Sequence, residues 1–531
     1  MAARRGGRAH FLKQRNCLSE GIRQGCPKNL NCNQISPSPV TTPPLLFSHP
    51  QTYDDPSFIP QLRSPLPTTS PPDTVAPPPG HVPYRKDKGK LLQVLGVGFG
   101  IAVAVGNSIS VGIVRTPGDI AARLPNAWLF IAVWIGGAFY ALVSAFQLAE
   151  LGTLIPSSGG QYNFSRRAIG DYAGFIVGWS DWISTCGTTG AVGIVVGEYL
   201  AHLFPLLDGA LRIKLTGVAI IIIFALLQWK SVSMGSKVQN ITTLLKGLVF
   251  FVMVIACFTM GRAAHAEAVT APSIAVPVGA ALITALLLGM QSTIYTYDGW
   301  DGVIYFGDEI KNPGHLVPRA IFASLASLFV IYLLINAAVL YVLPMNQIAG
   351  NDFSLGLAAQ RVFGHYGDFV FRSIMIVALF SSINALHLMG ARVIYAMSRD
   401  GLFFRQVTRI NKGGTPTVAL FLSALVGVIF AIGKFERVIA MLAFFFVTNY
   451  MLSFISLFIL RARDPHAERP YRAWGYPWTT AVALLGSVGF LIEAVREDRA
   501  NSLLTLIALA CSYPVYRILK MVSNREPAQP A

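Results

Sequence analysis

Charge is scarce in this chain. Only 13% of its 531 residues are Asp, Glu, Lys or Arg, well below the roughly 25% of a soluble globular protein. That deficit, with a mean hydropathy of +0.53, excludes an ordinary soluble fold and points to a polytopic membrane protein. Acids are scarcer than bases, and the net charge is +16. The bases are scattered through short loops and form no basic domain, so no nucleic-acid partner is expected. The six cysteines show no CxxC or metal-ligand spacing. Cys17, Cys26 and Cys32 fall in the N-terminal tail; Cys186, Cys257 and Cys511 fall in apolar runs and read as buried thiols. There is no nucleophile–base constellation, metal cluster or phosphate loop, which argues against an enzyme and against any cofactor or metal. Gly96-x-Gly98-x-Gly100 follows no strand and so is not a dinucleotide loop.

Long apolar runs are plentiful. Twelve spans of bilayer length lie near 91–114, 127–149, 172–203, 213–229, 238–260, 279–306, 318–343, 369–398, 416–433, 436–460, 475–495 and 501–519. Residues 1–84 differ: they are rich in Pro and Ser, lack apolar periodicity and read as a disordered tail. Their Arg-rich opening faintly resembles a transit peptide, and a translation start placed upstream of the true one explains them at least as well. The organisation expected is a tail over 1–84, a transporter domain over 85–520 and a short tail over 521–531. An even number of spans puts both termini on one side of the bilayer. With the N-terminus cytoplasmic, the inner loops hold Arg85, Lys86, Arg166, Arg167, Lys230, Lys311, Arg399, Arg405 and Arg461 among others, and the outer loops hold fewer; both termini are therefore expected inside.

Two spans are interrupted. The sixth contains Tyr295–Arg319, YTYDGWDGVIYFGDEIKNPGHLVPR, with Asp298, Gly299 and Asp301 at membrane depth. Acids there are expensive for an unbroken helix but make sense if the helix breaks and its backbone lines a polar cavity. The first span breaks similarly at Gly106–Gly112, GNSISVG. Spans 1–5 and 6–10 then form two five-helix halves, each opening on a broken helix, the pattern of an inverted-repeat transporter site. The repeat is legible in hydropathy and breaks, not in residue-level similarity.

Four patches, AELGTLIPSSGGQYNF (149–164), YDGWDGVIYFGDEIKNPGHLVPRAI (297–321), GARVIYAMSRDGLFF (390–404) and RPYRAWGYP (469–477), stand in order relative to the spans. Through them the chain resembles the amino acid–polyamine–organocation (APC) transporter superfamily over about residues 90–480. The resemblance implies an all-α LeuT-type fold of twelve transmembrane helices, a five-plus-five inverted repeat plus two, and substrates that are usually amino acids.

The breaks supply the candidate binding groups. N–H groups freed at the start of a second half-helix, at its positive dipole end, favour an anion such as a substrate carboxylate. By resemblance, the N–H groups of Val111 and Gly112 hold that carboxylate and the carbonyl of Ser108 accepts from the amine. Ser110 stands where the family pattern has its first glycine, a departure that bears on pocket size. A glycine-mediated helix packing contact is the plainer reading of this stretch. In the sixth span, carbonyls at a negative dipole end suit an ammonium. By resemblance, Tyr295 is an aromatic gate and the carbonyls of Tyr295 and Asp298 meet the amine. The Asp298 side chain either caps freed N–H groups or faces substrate, and Trp300 and Asp301 shape the cavity. Asp308, Glu309 and Lys311 read as an ion-pair cluster on an inner loop, past the membrane edge.

Lys246, in TTLLKGLVFFVMV, either snorkels to the interface or serves as proton coupler or sodium surrogate. By resemblance it lies where sodium-coupled relatives hold sodium, and a buried lysine can release its proton. Asp181 in the third span is a proton relay or the partner of a neighbouring polar group. Glu198 reads as solvated. Ser381, Ser382 and Asn384 face the broken helices or make helix–helix hydrogen bonds. Arg399 and Asp400 look like an inner gate or a loop anchor, Pro117–Gly118 like the outer turn, and Arg115 and Asp119 like part of the outer vestibule.

The function expected is proton-coupled amino acid import by alternating access, in a plasma or bacterial inner membrane. The partners are an amino acid, protons and the bilayer, with oligomeric state left open. An amino-acid exchanger or a polyamine or cationic amino acid carrier is the alternative. A non-transporting amino-acid sensor, with the tail as its signalling element, is the alternative from another class.

Overall fold

The computed structural model describes residues 91, 95–270, 274–433, 435–497 and 499–523. The tail expected over 1–84 and residues 524–531 lie outside them; the described residues all fall in one compact unit, Pro83–Ala531.

Seventeen α-helices occur among the described residues: α1 Val97–Ser108, α2 Val111–Arg123, α3 Ala127–Leu154, α4 Tyr162–Ala168, α5 Asp171–Leu203, α6 Ala210–Lys230, α7 Val232–Met260, α8 Arg262–Thr270, α9 Ala280–Tyr297, α10 Pro313–Val342, α11 Met345–Ile348, α12 Ser354–Phe363, α13 Gly367–Arg399, α14 Thr417–Ala431, α15 Phe435–Arg463, α16 Trp478–Glu497 and α17 Arg499–Ser523. No β-strand is present among them beyond three isolated bridges. Nine helical segments are long and apolar enough to cross a bilayer, ten if α1 and α2, bent by 42° at their junction, form one span. α5 is 33 residues long but too polar to join that count, and α14 is apolar but only 15 residues long. Large apolar side chains stand exposed along α6 (Ile222, Ile223), α7 (Leu244, Leu248, Phe251) and α17 (Leu503, Ile507). Such a surface is stable against lipid and not against water. The chain is an integral, multi-pass membrane protein.

α5 is polar because it is interior. It packs against α6, α13, α14 and α15, and its small residues let neighbours approach closely. A Cβ on Gly217 of α6 would lie 2.5 Å from the Gly193 carbonyl oxygen of α5, so Gly217 needs to be glycine. At the other end of the fold, Glu150 near the end of α3 is fully buried. It accepts from Arg461 at 2.6 Å and from the Ala473 N–H at 2.6 Å, and it is ion-paired with Arg469 at 3.0 Å. This brace joins the AELG and RPYRAW patches, with the Ala473 N–H 323 residues from Glu150.

Three boundaries differ from the sequence reading. α2 runs through Pro117 to Arg123, so Pro117–Gly118 is not the outer turn. Gly118 instead accepts the Gly350 N–H at 2.9 Å and packs on the Asn351 backbone. The sixth span, expected to 306, ends its α-helix at Tyr297 and continues as 3₁₀ turns, Gly302–Tyr305 and Gly307–Glu309. Gly299, Gly302 and Gly307 lower the helix propensity of this stretch, and tertiary contacts decide its path. The last helix reaches Ser523, three residues into the expected C-terminal tail.

Candidate functional site

The two interrupted spans touch at their breaks. α1 ends at Ser108 and α2 starts at Val111; Ser110 is the N-cap of α2 but makes no capping hydrogen bond. Its hydroxyl is buried and has no partner among the described residues. The first N–H groups of a helix have no acceptor within it, so the start of α2 presents unsatisfied donors beside Ser110. Across from it, α9 ends at Tyr297 and Gly299 adopts φ +102°. A Cβ there would fall 2.4 Å from Asn107 Nδ2, so glycine is needed for backbone conformation and for space alike. Gly112 abuts Thr296, whose Cα would lie 3.0 Å from a Cβ added at Gly112. Between these breaks and the helices α5, α13 and α15 is a small cavity of about 40 Å³, lined by Ser110, Gly112, Asp181, Tyr295, Asp298 and Asp301 among others.

Each residue singled out in the sequence has a definite place here. The Ser108 carbonyl is not free: it accepts from Tyr332 Oη at 2.7 Å, which also reaches the Thr296 carbonyl at 3.1 Å. That tyrosine is 224 residues away and takes one of the two lone pairs of the carbonyl, leaving one for an amine. Val111 and Gly112 line the cavity with their backbone. Tyr295 is half-buried on the cavity wall, its ring 6.4 Å from that of Phe446. The Tyr295 carbonyl accepts the Asp298 N–H at 3.2 Å. The Asp298 carboxylate accepts from Tyr450 Oη of α15 at 2.7 Å, and Trp300 stacks on that tyrosine at 5.9 Å. Asp301 accepts from Gln161 Nε2 at 3.1 Å, and Gln161 Oε1 accepts from Ser453 at 3.0 Å. Asp181 accepts from Tyr305 Oη at 2.8 Å through one oxygen; the other is buried without a partner among the described residues.

Lys246 does not snorkel. It is 2% exposed and donates to the Gly106 carbonyl at 2.9 Å, the Ile109 carbonyl at 2.6 Å and Ser382 Oγ at 3.3 Å. Ser382 also donates to the Gly106 carbonyl, at 2.9 Å. The ammonium thus gathers carbonyls that α1 leaves open where it unwinds, the negative end of a helix dipole. Beside it, Gln239 Nε2 lies 3.1 Å from each of the Ala102 carbonyl, Thr243 Oγ1 and Ser381 Oγ, while Asn384 donates to Gln239 Oε1 at 2.8 Å. Ser381, Ser382 and Asn384 all take part in this layer, and Ser382 alone reaches the break itself.

A family model described as amino acid permease matches residues 95–507. The chain belongs to the amino acid permease family. It is 27% identical over 443 residues to the serine/threonine exchanger SteT of Bacillus subtilis (strain 168), covering 82% of this chain and 99% of that protein. To the b(0,+)-type amino acid transporter 1 of Mus musculus it is 25% identical, over 72% of this chain and 79% of the relative. To the branched-chain amino acid permease BcaP of Lactococcus lactis subsp. cremoris (strain MG1363) it is 24% identical, over 76% and 90%. These relatives are named as exchanger, transporter and permease, which agrees with an APC-superfamily membrane carrier and not with an enzyme.

The permease motifs at one end of the fold form a layered ion-pair cluster. Glu309 is not on an exposed loop: it is fully buried and paired to buried Arg392 of α13, which donates to its two oxygens and lies 4.5 Å over the Phe306 ring. The 3₁₀ turns after the sixth-span break fold back under α13, which takes Glu309 inside. Asp308 pairs with Arg399 at 2.6 Å, and Asp400 accepts from Tyr162 at 3.0 Å and is ion-paired with Arg166 at 2.9 Å. On the opposite side Glu198 pairs with Arg115 at 2.7 Å, so it is not merely solvated. Asp119 accepts from Ser292 at 2.6 Å.

Sequence reasoning missed Tyr450, Gln161, Tyr305 and Tyr332, the groups that hold the acids and close the breaks. A signal existed for Tyr450: Thr448-Asn449-Tyr450 puts three polar groups in succession inside an apolar span. The crowding here yields one prediction. A Cβ at Gly106 would sit 2.0 Å from Gln239 Nε2 and 2.6 Å from Thr243 Oγ1. Gly106→Ala should therefore cost about 1–3 kcal/mol as overpacking, visible as a fall of several degrees in the Tm of the purified protein and a parallel loss of ligand binding.

Proposed function

We propose that this chain carries amino acids across the membrane by alternating access, with substrate held where the first and sixth spans break. The observation that carries this is the meeting of two opposite helix ends on one cavity. The uncapped start of α2 offers N–H groups to a carboxylate, with Ser110 Oγ beside them, and the end of α9 offers a negative dipole end to an ammonium. An α-amino acid is the small molecule with both charges on one carbon. Tyr295 would cover it. Counting α5 and α14 as spans brings the total to twelve, with both termini cytoplasmic, and the two breaks support a LeuT-type five-plus-five inverted repeat followed by α16 and α17.

Proton-coupled import is the reading we favour, and it rests on Lys246. An ammonium bound to the first-span carbonyls fills the place of a bound metal cation and ties the break to α13 through Ser382. Loss of its proton would release that tie, linking protonation to movement. Asp181 is the second coupling candidate, but its half-satisfied carboxylate on the cavity wall suits a substrate cation better than a proton relay. Exchange is the second reading, favoured by similarity along 99% of a serine/threonine exchanger. Reconstitution in proteoliposomes separates the two. Accumulation driven by an inward proton gradient and indifferent to sodium supports symport. Uptake that requires internal amino acid and ignores both gradients makes the protein an exchanger and leaves Lys246 a structural cation.

A further inference from the structure

Three carboxylates, Asp181, Asp298 and Asp301, line the cavity, and no Lys, Arg or His is among its described lining residues. Lys246, a buried cation behind the first-span break, is engaged with backbone carbonyls and Ser382. Asp298 and Asp301 each have a donor, Tyr450 and Gln161, from other elements. Asp181 is 2% exposed and is held through Oδ1 alone, leaving Oδ2 buried and unpartnered among the described residues. An unpaired oxygen of a buried acid is costly unless something completes it, and like charges sharing a poorly solvated space repel.

The substrate's α-ammonium meets at most one part of this excess, at the sixth-span break. We infer that the cavity recognises a second positive charge at Asp181, so that the preferred cargo is an α-amino acid with a cationic side chain. This rests on the amino acid reading given above and narrows it to a substrate class. Asp181 stands a third of the way along α5, and Thr185 and Thr188 follow it on the cavity face at helical spacing. An extended aliphatic chain anchored by its carboxylate at α2 can lie along that stripe and present its terminal ammonium to Oδ2. Tyr305, on the first 3₁₀ turn after the break, fixes the carboxylate in that orientation.

The test compares L-lysine with L-norleucine, which matches its backbone and chain but lacks the terminal charge. Both are measured with the full chain, as uptake into proteoliposomes and as ligand-induced thermal stabilisation in detergent. The wild type should prefer L-lysine at least about tenfold in both readouts, the factor one charge-assisted hydrogen bond supplies. Asp181→Asn should collapse that preference to about twofold or less, while Asp181→Glu, which retains the charge, should keep it. A wild type that takes up and is stabilised by L-norleucine or L-serine but not L-lysine overturns the inference and leaves amino acid transport standing. So does an Asp181→Asn protein with an undiminished preference. No uptake of and no stabilisation by any amino acid would remove the transport reading itself. The wild-type ratio needs no substitution, so misfolding of a variant does not shield the inference.

Discussion

Lys246→Ala is expected to lower gradient-driven amino acid accumulation by at least ~100-fold. The ammonium makes two short charge-assisted bonds, to the Gly106 and Ile109 carbonyls, worth about 1.5–3 kcal/mol each. Losing both corresponds to two or more decades, at about 1.4 kcal/mol per decade. Alanine leaves these carbonyls without a cation in a site that water does not reach easily, and the first-span break loses its tie to α7. Uptake of radiolabelled amino acid with and without an inward proton gradient reads the effect. An added sodium gradient divides the two roles proposed for the lysine. If it is a fixed cation, sodium should restore part of the variant's uptake by occupying the vacated oxygens. If it is the proton carrier, sodium should restore nothing. Uptake within twofold of wild type would remove Lys246 from the mechanism altogether.

Arg392→Ala is expected to destabilise the protein by about 3–5 kcal/mol, the cost of leaving one member of a buried ion pair uncompensated. Both Arg392 and Glu309 are almost entirely shielded from solvent, and the guanidinium also covers the Phe306 ring. The pair pins the 3₁₀ turns of the sixth span to α13, so its loss should loosen that contact as well. Glu150 offers the comparison. It has two guanidinium partners, Arg461 and Arg469, and the Ala473 N–H, so Arg461→Ala leaves the carboxylate partly compensated and should cost clearly less. Thermal unfolding of the two variants in detergent checks the order. Equal losses, or a larger loss for Arg461→Ala, would contradict this account of the inner cluster.

The breaks are partly legible in the sequence. Grouped glycine and polar residues mark both breaks, Gly106–Gly112 and Asp298–Asp301, but residue type alone does not decide, since α5 stays unbroken through Asp181, Gly187 and Gly190. The burial of Lys246 is not legible in this way. A lysine two turns into an apolar run reads equally well as snorkelling, and the choice depends on three oxygens contributed from 136 to 140 residues away. The same reason hides the partners of the acids: Tyr450 is 152 residues from Asp298, Gln161 is 140 from Asp301 and Tyr305 is 124 from Asp181. Local pattern identifies which groups need partners and is silent on which distant helix supplies them. The 3₁₀ course after Tyr297 escapes the sequence for a related reason. Its apolar residues suit a half-helix, but Gly302 packs against Val103 and Ala104 of α1 and Gly307 against the Pro156–Ser157 backbone, and those contacts set the path.

The central claim is that the start of α2 holds a substrate carboxylate while the end of α9 holds its ammonium. The most direct measurement is equilibrium binding of three related ligands to the purified wild type: L-lysine, its decarboxylated diamine cadaverine, and its deaminated acid 6-aminohexanoic acid. The account predicts that L-lysine binds at least ~100-fold more tightly than either, since each lacks one anchor worth roughly 3 kcal/mol as a charge-assisted contact. Cadaverine binding as tightly as L-lysine would contradict it, showing that the α2 terminus holds no carboxylate and that the cavity serves an amine instead.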